Sequence, residues 1–91
     1  MEAIWKVQLS LVHIQQVSLP AGSEVLCVQM QNGIPCIWFI CLDTDPDFAK
    51  ETRTFIIYQT GGEHYKIEGE YIGTFQLKNG GLVFHVFEEE D

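Results

Sequence analysis

VLCVQMQNGIPCIWFICL, residues Val25–Leu42, decides the fold. Two apolar runs flank Asn32-Gly33, and the second, Ile34–Leu42, is the most hydrophobic segment of the chain. Asn-Gly between apolar runs signals a hairpin, because a two-residue type I′ turn needs positive φ at both central positions. With that loop Gln31 faces Ile34, and the period of two sorts the arms onto two faces. Met30, Val28 and Leu26 should lie opposite Pro35, Ile37 and Phe39 on a wholly apolar core face. Gln29, Cys27 and Val25 should lie opposite Cys36, Trp38 and Ile40 on a mixed face. Pro35 has no N–H for a ladder, so its nitrogen should point to an unpaired side or a bulge.

Ninety-one residues make one domain, long enough for one modest core. The domain should span residues 1–87, with an acidic, solvated tail at 88–91. Hydrophobic residues reach 46% and charged residues 20%, which places the chain among globular rather than disordered sequences. No apolar run approaches the roughly 18 residues of a membrane span. The start, Met1–Lys6, lacks the basic-then-apolar pattern of a secretory signal, so a cytosolic protein is expected. Thirteen acidic residues against five basic ones give a net charge of −8. That argues against direct nucleic-acid binding, which needs clustered Lys and Arg. It leaves a basic protein partner or imitation of nucleic acid, although a plain acidic surface is the commoner case.

Outward from the hairpin, Ala3–Leu11 alternates apolar and polar residues as a half-buried strand. His13–Leu19 continues less regularly and should pair nearby as an edge. Pro20-Ala21-Gly22-Ser23 is a turn. Asp43–Thr52 reads as a loop with one helical turn around Asp47–Glu51. Arg53–Thr60 is a strand with Phe55 and Ile57 on one side and Ile56 and Tyr58 on the other. Gly61–His64 is a loop, and Tyr65–Glu68 a short extended connector. Glu70–Leu77 and Leu82–Glu88 form a last hairpin around Asn79-Gly80, which sets Phe75 against Phe84, Thr74 against His85 and Gln76 against Val83. The whole is all-β: a small antiparallel sandwich or barrel of six to seven strands built from hairpins.

The chemistry-bearing residues do not assemble into a motif. Cys27, Cys36 and Cys41 are odd in number, without metal-ligand spacing, inside apolar strands, where reduced Cys behaves as a small hydrophobe. Asp43-Thr44-Asp45-Pro46-Asp47 imitates the start of a calcium loop, but Phe48 and Thr54 stand where that loop needs Gly and Glu. His13, His64 and His85 sit on separate elements, and Gly61-Gly62 opens no helix. No cofactor, metal or catalytic constellation is expected, and the chain reads as no enzyme. The working surface is expected around Trp38, Gln29 and Gln31, together with Thr74, Gln76 and His85, as one patch if the two hairpins lie side by side and as two if they do not. A Trp beside uncharged hydrogen-bonding groups can supply apolar area and polar specificity together. The same surface would suit a homo-oligomer interface.

Several blocks resemble a family of short proteins encoded by tailed phages and prophages. They are Leu19–Gly22, Val28–Trp38, Thr60-Gly61, Tyr71–Leu77 and Gly81–Phe87, with Pro-Cys-Ile-Trp and Phe-His-Val-Phe the most specific. The loop Asp43–Glu51 is longer than that family's, so the resemblance carries nothing onto it. The resemblance implies a phage origin, residence in the cytoplasm of a bacterial host, and no catalytic residue. A small acidic phage protein of this kind is expected to bind stoichiometrically, countering a host antiviral defence by engaging a host protein or sequestering a nucleotide signal. The alternative is a structural or regulatory component of the phage particle or its assembly.

Overall fold

Alternation of apolar residues with a period of two recurs along the chain and yields seven strands, all antiparallel. The computed structural model describes residues 1–90. The strands are β1 (Ala3–Gln8), β2 (Ile14–Pro20), β3 (Glu24–Gln31), β4 (Ile34–Cys41), β5 (Lys50–Gln59), β6 (Glu70–Leu77) and β7 (Leu82–Glu88). They form two sheets, one of three strands in the order β1-β4-β3 and one of four in the order β2-β5-β7-β6. The sheets stack as a sandwich and do not close into a barrel. The body is flat, with Cα extents of 41 × 30 × 16 Å.

The β3–β4 hairpin turns at Asn32 and Gly33, both with positive φ, as a type I′ turn demands. Its register runs as expected from Gln31↔Ile34 to Cys27↔Trp38 and then slips. Leu26 is bulged out, so Val25 pairs with Phe39 and Glu24 with Ile40. This reverses the expected faces of two residues. Val25 packs against the core, and Leu26 lies 43% exposed on the outside. An extra residue in one strand flips every side chain beyond it, which alternation alone cannot show.

β4 is the centre of its sheet because β1 pairs along its other edge, from Ala3↔Cys41 to Gln8↔Cys36. β1 ends sooner than the expected Leu11. The Leu9 N–H still donates to the Pro35 carbonyl at 2.9 Å, but Pro35 has no N–H to return. The nitrogen of Pro35 therefore faces the end of the β1 ladder. Leu9 is buried, Leu11 is exposed, and Gln15 holds the β1–β2 arch by exchanging hydrogen bonds with Ser10 N and O at 3.0 and 2.7 Å.

β2 is an edge strand, but it does not pair with a sequence neighbour. It pairs with β5, from Ile14↔Ile56 to Pro20↔Lys50. That pairing replaces the expected helical turn at Asp47–Glu51, since β5 begins at Lys50 and runs for ten residues. The β6–β7 register matches expectation from Leu77↔Leu82 to Gly73↔Val86, beyond which a bulge brings Tyr71 opposite Phe87. Its connection is four residues rather than two, with Lys78, Asn79 and Gly80 all at positive φ. Tyr65–Glu68 forms no strand and belongs to the long β5–β6 loop. Glu88, expected in the tail, ends β7 opposite Phe55 and Glu70. Asp91 lies outside the described residues.

Between the sheets, Ile37, Phe55 and Val86 are fully buried, with Val28, Ile57 and Phe75 beside them. Burial of each such side chain contributes about 1.5–3 kcal/mol. A second cluster of Leu19, Phe39 and Cys41 joins the first through Val7, Val17 and Val25. One side of the sandwich is sealed where β3 meets β6. A Cβ on Gly73 would stand 2.8 Å from Val28 Cγ1, so only glycine permits that approach. The opposite side, between the edges of β1 and β2, stays open.

Candidate functional site

Each sheet has an outer face, and the two expected halves of the working surface lie on different ones. Trp38, Gln29 and Gln31 lie on the outer face of the three-stranded sheet. Thr74, Gln76 and His85 lie on the outer face of the four-stranded sheet, across the core. They form two patches, not one.

On the three-stranded sheet the outward residues stack in rows given by the register: Ile4 beside Ile40, Lys6 beside Trp38 beside Cys27, and Gln8 beside Cys36 beside Gln29. Cys36 is buried, while Trp38, Ile40 and Cys27 are half-buried. Ile4 is 62% exposed and Leu26 joins it through the bulge. The Lys6 ammonium stands 5.8 Å from the centroid of the Trp38 ring and donates to Gln31 Oε1. A cation over an indole face is electrostatically favourable and orients both groups. The Trp38 Nε1–H points at the Gln29 carbonyl at 3.4 Å, a long contact. No secondary-structure element lies over this face among the described residues. Ile4, Lys6, Leu26 and Ile40 complete it; the outer parity of β1 could be read from sequence, but its pairing partner could not.

The opposite face is self-contained. Tyr58 is buried there with His13, His64 and Phe87 packed around its ring at centroid distances of 4.8 to 5.5 Å. His13 and His64 stack on each other at 5.3 Å. The β5–β6 loop is pinned over Tyr58 by the Glu68 N–H, which donates to the phenol oxygen at 3.1 Å. His13 Nδ1 lies 2.9 Å from the Ile57 carbonyl, which only accepts, so this nitrogen carries the proton. The expected Thr74–His85 pair is present and extended. Thr74 Oγ1 meets His85 Nδ1 at 2.9 Å, Thr60 Oγ1 meets Nε2 at 2.7 Å, and the Tyr71 hydroxyl meets Thr74 Oγ1 at 2.5 Å. Both imidazole nitrogens are thus occupied by threonine hydroxyls. Gln76 is exposed beyond this chain.

Arg53 organises one end of the molecule and carries no distinguishing signal in the sequence, since it stands in the polar first half of β5, Lys50–Thr54. It pairs with Glu88 through two guanidinium nitrogens and with Glu51 at 3.0 Å, and donates to the Ser23 carbonyl at 2.8 Å. The hydrogen bond with Glu88 raises its pKa further above an already high value, against the opposing effect of burial. The Asp43–Asp47 carboxylates cap their own loop: Asp43 Oδ1 accepts from Asp45 N at 2.8 Å and Asp45 Oδ1 from Asp47 N at 2.9 Å. At the open side, a cleft of about 310 Å³ runs between Trp5 on β1, Leu19 on β2 and Phe48 in that loop.

Among the described residues, no helix is long and apolar enough to cross a membrane. No curated protein and no solved structure matches the chain. One family model, described as a domain of unknown function, DUF7352, matches residues 1–91 from end to end. The chain belongs to the DUF7352 family.

Proposed function

We propose that the protein acts by stoichiometric binding, without turnover, and that the outer face of the three-stranded sheet receives a protein partner. The observation that carries this reading is the contrast in cover. Trp38, Ile4, Leu26 and Ile40 lie under no other element, whereas Tyr58 on the other sheet lies under its own loop. Trp is enriched at the centres of interfaces, and amides such as Gln29 and Gln31 suit a polar rim.

His85 is held on both nitrogens, and Cys36 and Cys41 are buried. A protein partner suits this face better than a nucleotide. The face is broad and largely apolar, Lys6 is its one cation, and the chain's charge of −8 repels phosphates. The resemblance of several blocks to tailed-phage proteins supports a finer reading: a phage accessory protein, resident in the bacterial host cytoplasm, that counters a defence by occupying a host protein.

The test compares the tagged parent with three single variants in lysate of a bacterial host. Trp38→Ala and Leu26→Ser should lose a co-purifying host protein that the parent and His85→Ala retain, with all melts still cooperative. Retention by Trp38→Ala and Leu26→Ser alike would refute the assignment.

A further inference from the structure

Four strands form the edges of the two sheets, and three of them are protected. β3 and β6 lie against each other at the sealed side and each carries a bulge. β2 ends in Pro20, which offers no N–H. β1 has neither bulge nor proline.

The hydrogen-bond phase of β1 follows from its last bond. Leu9 N donates to Pro35 O, so Leu9↔Pro35 is a hydrogen-bonded pair, and alternation makes Val7↔Ile37, Trp5↔Phe39 and Ala3↔Cys41 the others. Ile4 and Lys6 then turn their backbone N–H and C=O away from β4, toward the free edge, and Glu2 continues the same phase. Their side chains share the outer face with Trp38, while Ala3 and Trp5 point inward, with Trp5 still 57% exposed at the mouth of the cleft.

We infer that β1 pairs antiparallel with β1 of a second copy, centred on Ile4, joining two three-stranded sheets into one of six. The sequence Glu2-Ala3-Ile4-Trp5-Lys6 is complementary to itself about a two-fold axis. Ile4 meets Ile4 of the second copy, and Glu2 meets Lys6 on both sides of the axis. On the inner face Ala3 lies opposite Trp5, so the small side chain leaves room for the exposed indole. Each copy offers the N–H and C=O of Glu2, Ile4 and Lys6, which no strand in the monomer uses. Moving the axis by one step to Trp5 sets Lys6 against Ile4, and moving it to Lys6 sets two ammoniums against each other. Only the Ile4 axis pairs every charge. In the monomer the Lys6 ammonium turns across β4 toward Trp38 and Gln31, and pairing with Glu2 of the second copy turns it to the other side of β1. An isologous contact of this kind closes at two copies and does not propagate.

This inference is independent of the partner-binding reading, and its test needs only the purified chain. Sedimentation across micromolar to millimolar concentration should show a monomer–dimer equilibrium. Lys6→Glu sets like charges opposite each other on both sides of the axis and should raise the dissociation constant roughly tenfold. Glu2→Lys should do the same while leaving the Lys6–Trp38 contact in place. Glu2→Lys combined with Lys6→Glu restores the complement and should bring the dissociation constant back to within about threefold of the parent. Leu26→Ser, at the far edge of the sheet, should leave the dimer intact even where it abolishes partner binding. A parent that stays monomeric at every concentration, or a double variant no tighter than the singles, would overturn the pairing.

Discussion

The two outer faces of the sandwich are built from similar materials and finished differently. Both carry a large aromatic flanked by hydrogen-bonding side chains: Trp38 with Gln29 and Gln31 on one, Tyr58 with His13, His85 and Thr74 on the other. On the four-stranded face the polar groups satisfy one another, and a loop covers the aromatic. On the three-stranded face the amides are only partly engaged, and the aromatic and its aliphatic neighbours meet solvent. A polar group that is already paired gains little from a new partner, while apolar area under no cover gains from any. The difference separates a face whose polar groups and loop are spent on the fold from a face whose apolar side chains lie uncovered.

The largest expected effect tests the covered face. Tyr58→Ala removes a buried ring, three aromatic contacts and the anchor of the β5–β6 loop, and should cost about 3–5 kcal/mol. Trp38→Ala, on a half-buried side chain, should cost about 1–2 kcal/mol in the same urea melts. An equal or larger loss at Trp38 would mean that the indole is a structural element and would break the contrast.

The hydroxyl–imidazole chain is a finer test. Thr74→Val keeps the β-branched shape but removes the oxygen that Tyr71 and His85 share, at positions open to water. It should cost only about 0.5–1 kcal/mol, since water replaces the lost bonds. Partner binding should be unchanged. If Thr74→Val abolishes binding with an intact melt, the working surface moves to the four-stranded face.

How much of this was legible follows from particular residues. The Asn32-Gly33 turn is local chemistry, and it fixed the hairpin and five of its pairs correctly up to Cys27↔Trp38. The bulge at Leu26 was hidden because Val25, Leu26 and Cys27 are all apolar, and any of them could face the core. The β2–β5 pairing was illegible for a different reason: it joins residues thirty or more positions apart, and no local turn encodes such a register. The Thr74–His85 pair was readable because the β6–β7 register survived a misjudged loop length. That the two candidate patches lie on opposite faces depends on how the sheets stack, which neither hairpin contains alone. Arg53 stayed hidden because, beyond Glu51 on its own strand, its partners Glu88 and Ser23 come from β7 and the β2–β3 turn.

The smallest perturbation asks whether the bare face is bare in solution. Cys27 and Cys36 both belong to it, on neighbouring strands, while Cys41 packs inside with Leu19 and Phe39. Cys36 is 1% exposed and its Sγ is directed at the Ile34 carbonyl at 3.5 Å; Cys27 is half-buried beside Trp38. A thiol reagent needs access to sulfur, so its rate reports cover directly. Native labelling should therefore modify Cys27 first, with Cys36 and Cys41 slower and dependent on opening of the sheet. Cys27→Ser should shift the melt by less than about 0.5 kcal/mol. Docking of a partner on the Trp38 face should slow Cys27 alone, whereas β1 pairing with a second copy leaves it accessible, because β3 is the far edge of that sheet. A Cys27 as slow as Cys36 in dilute purified protein would mean that something already covers the face, and the contrast between the two sides would then be one of occupancy rather than construction.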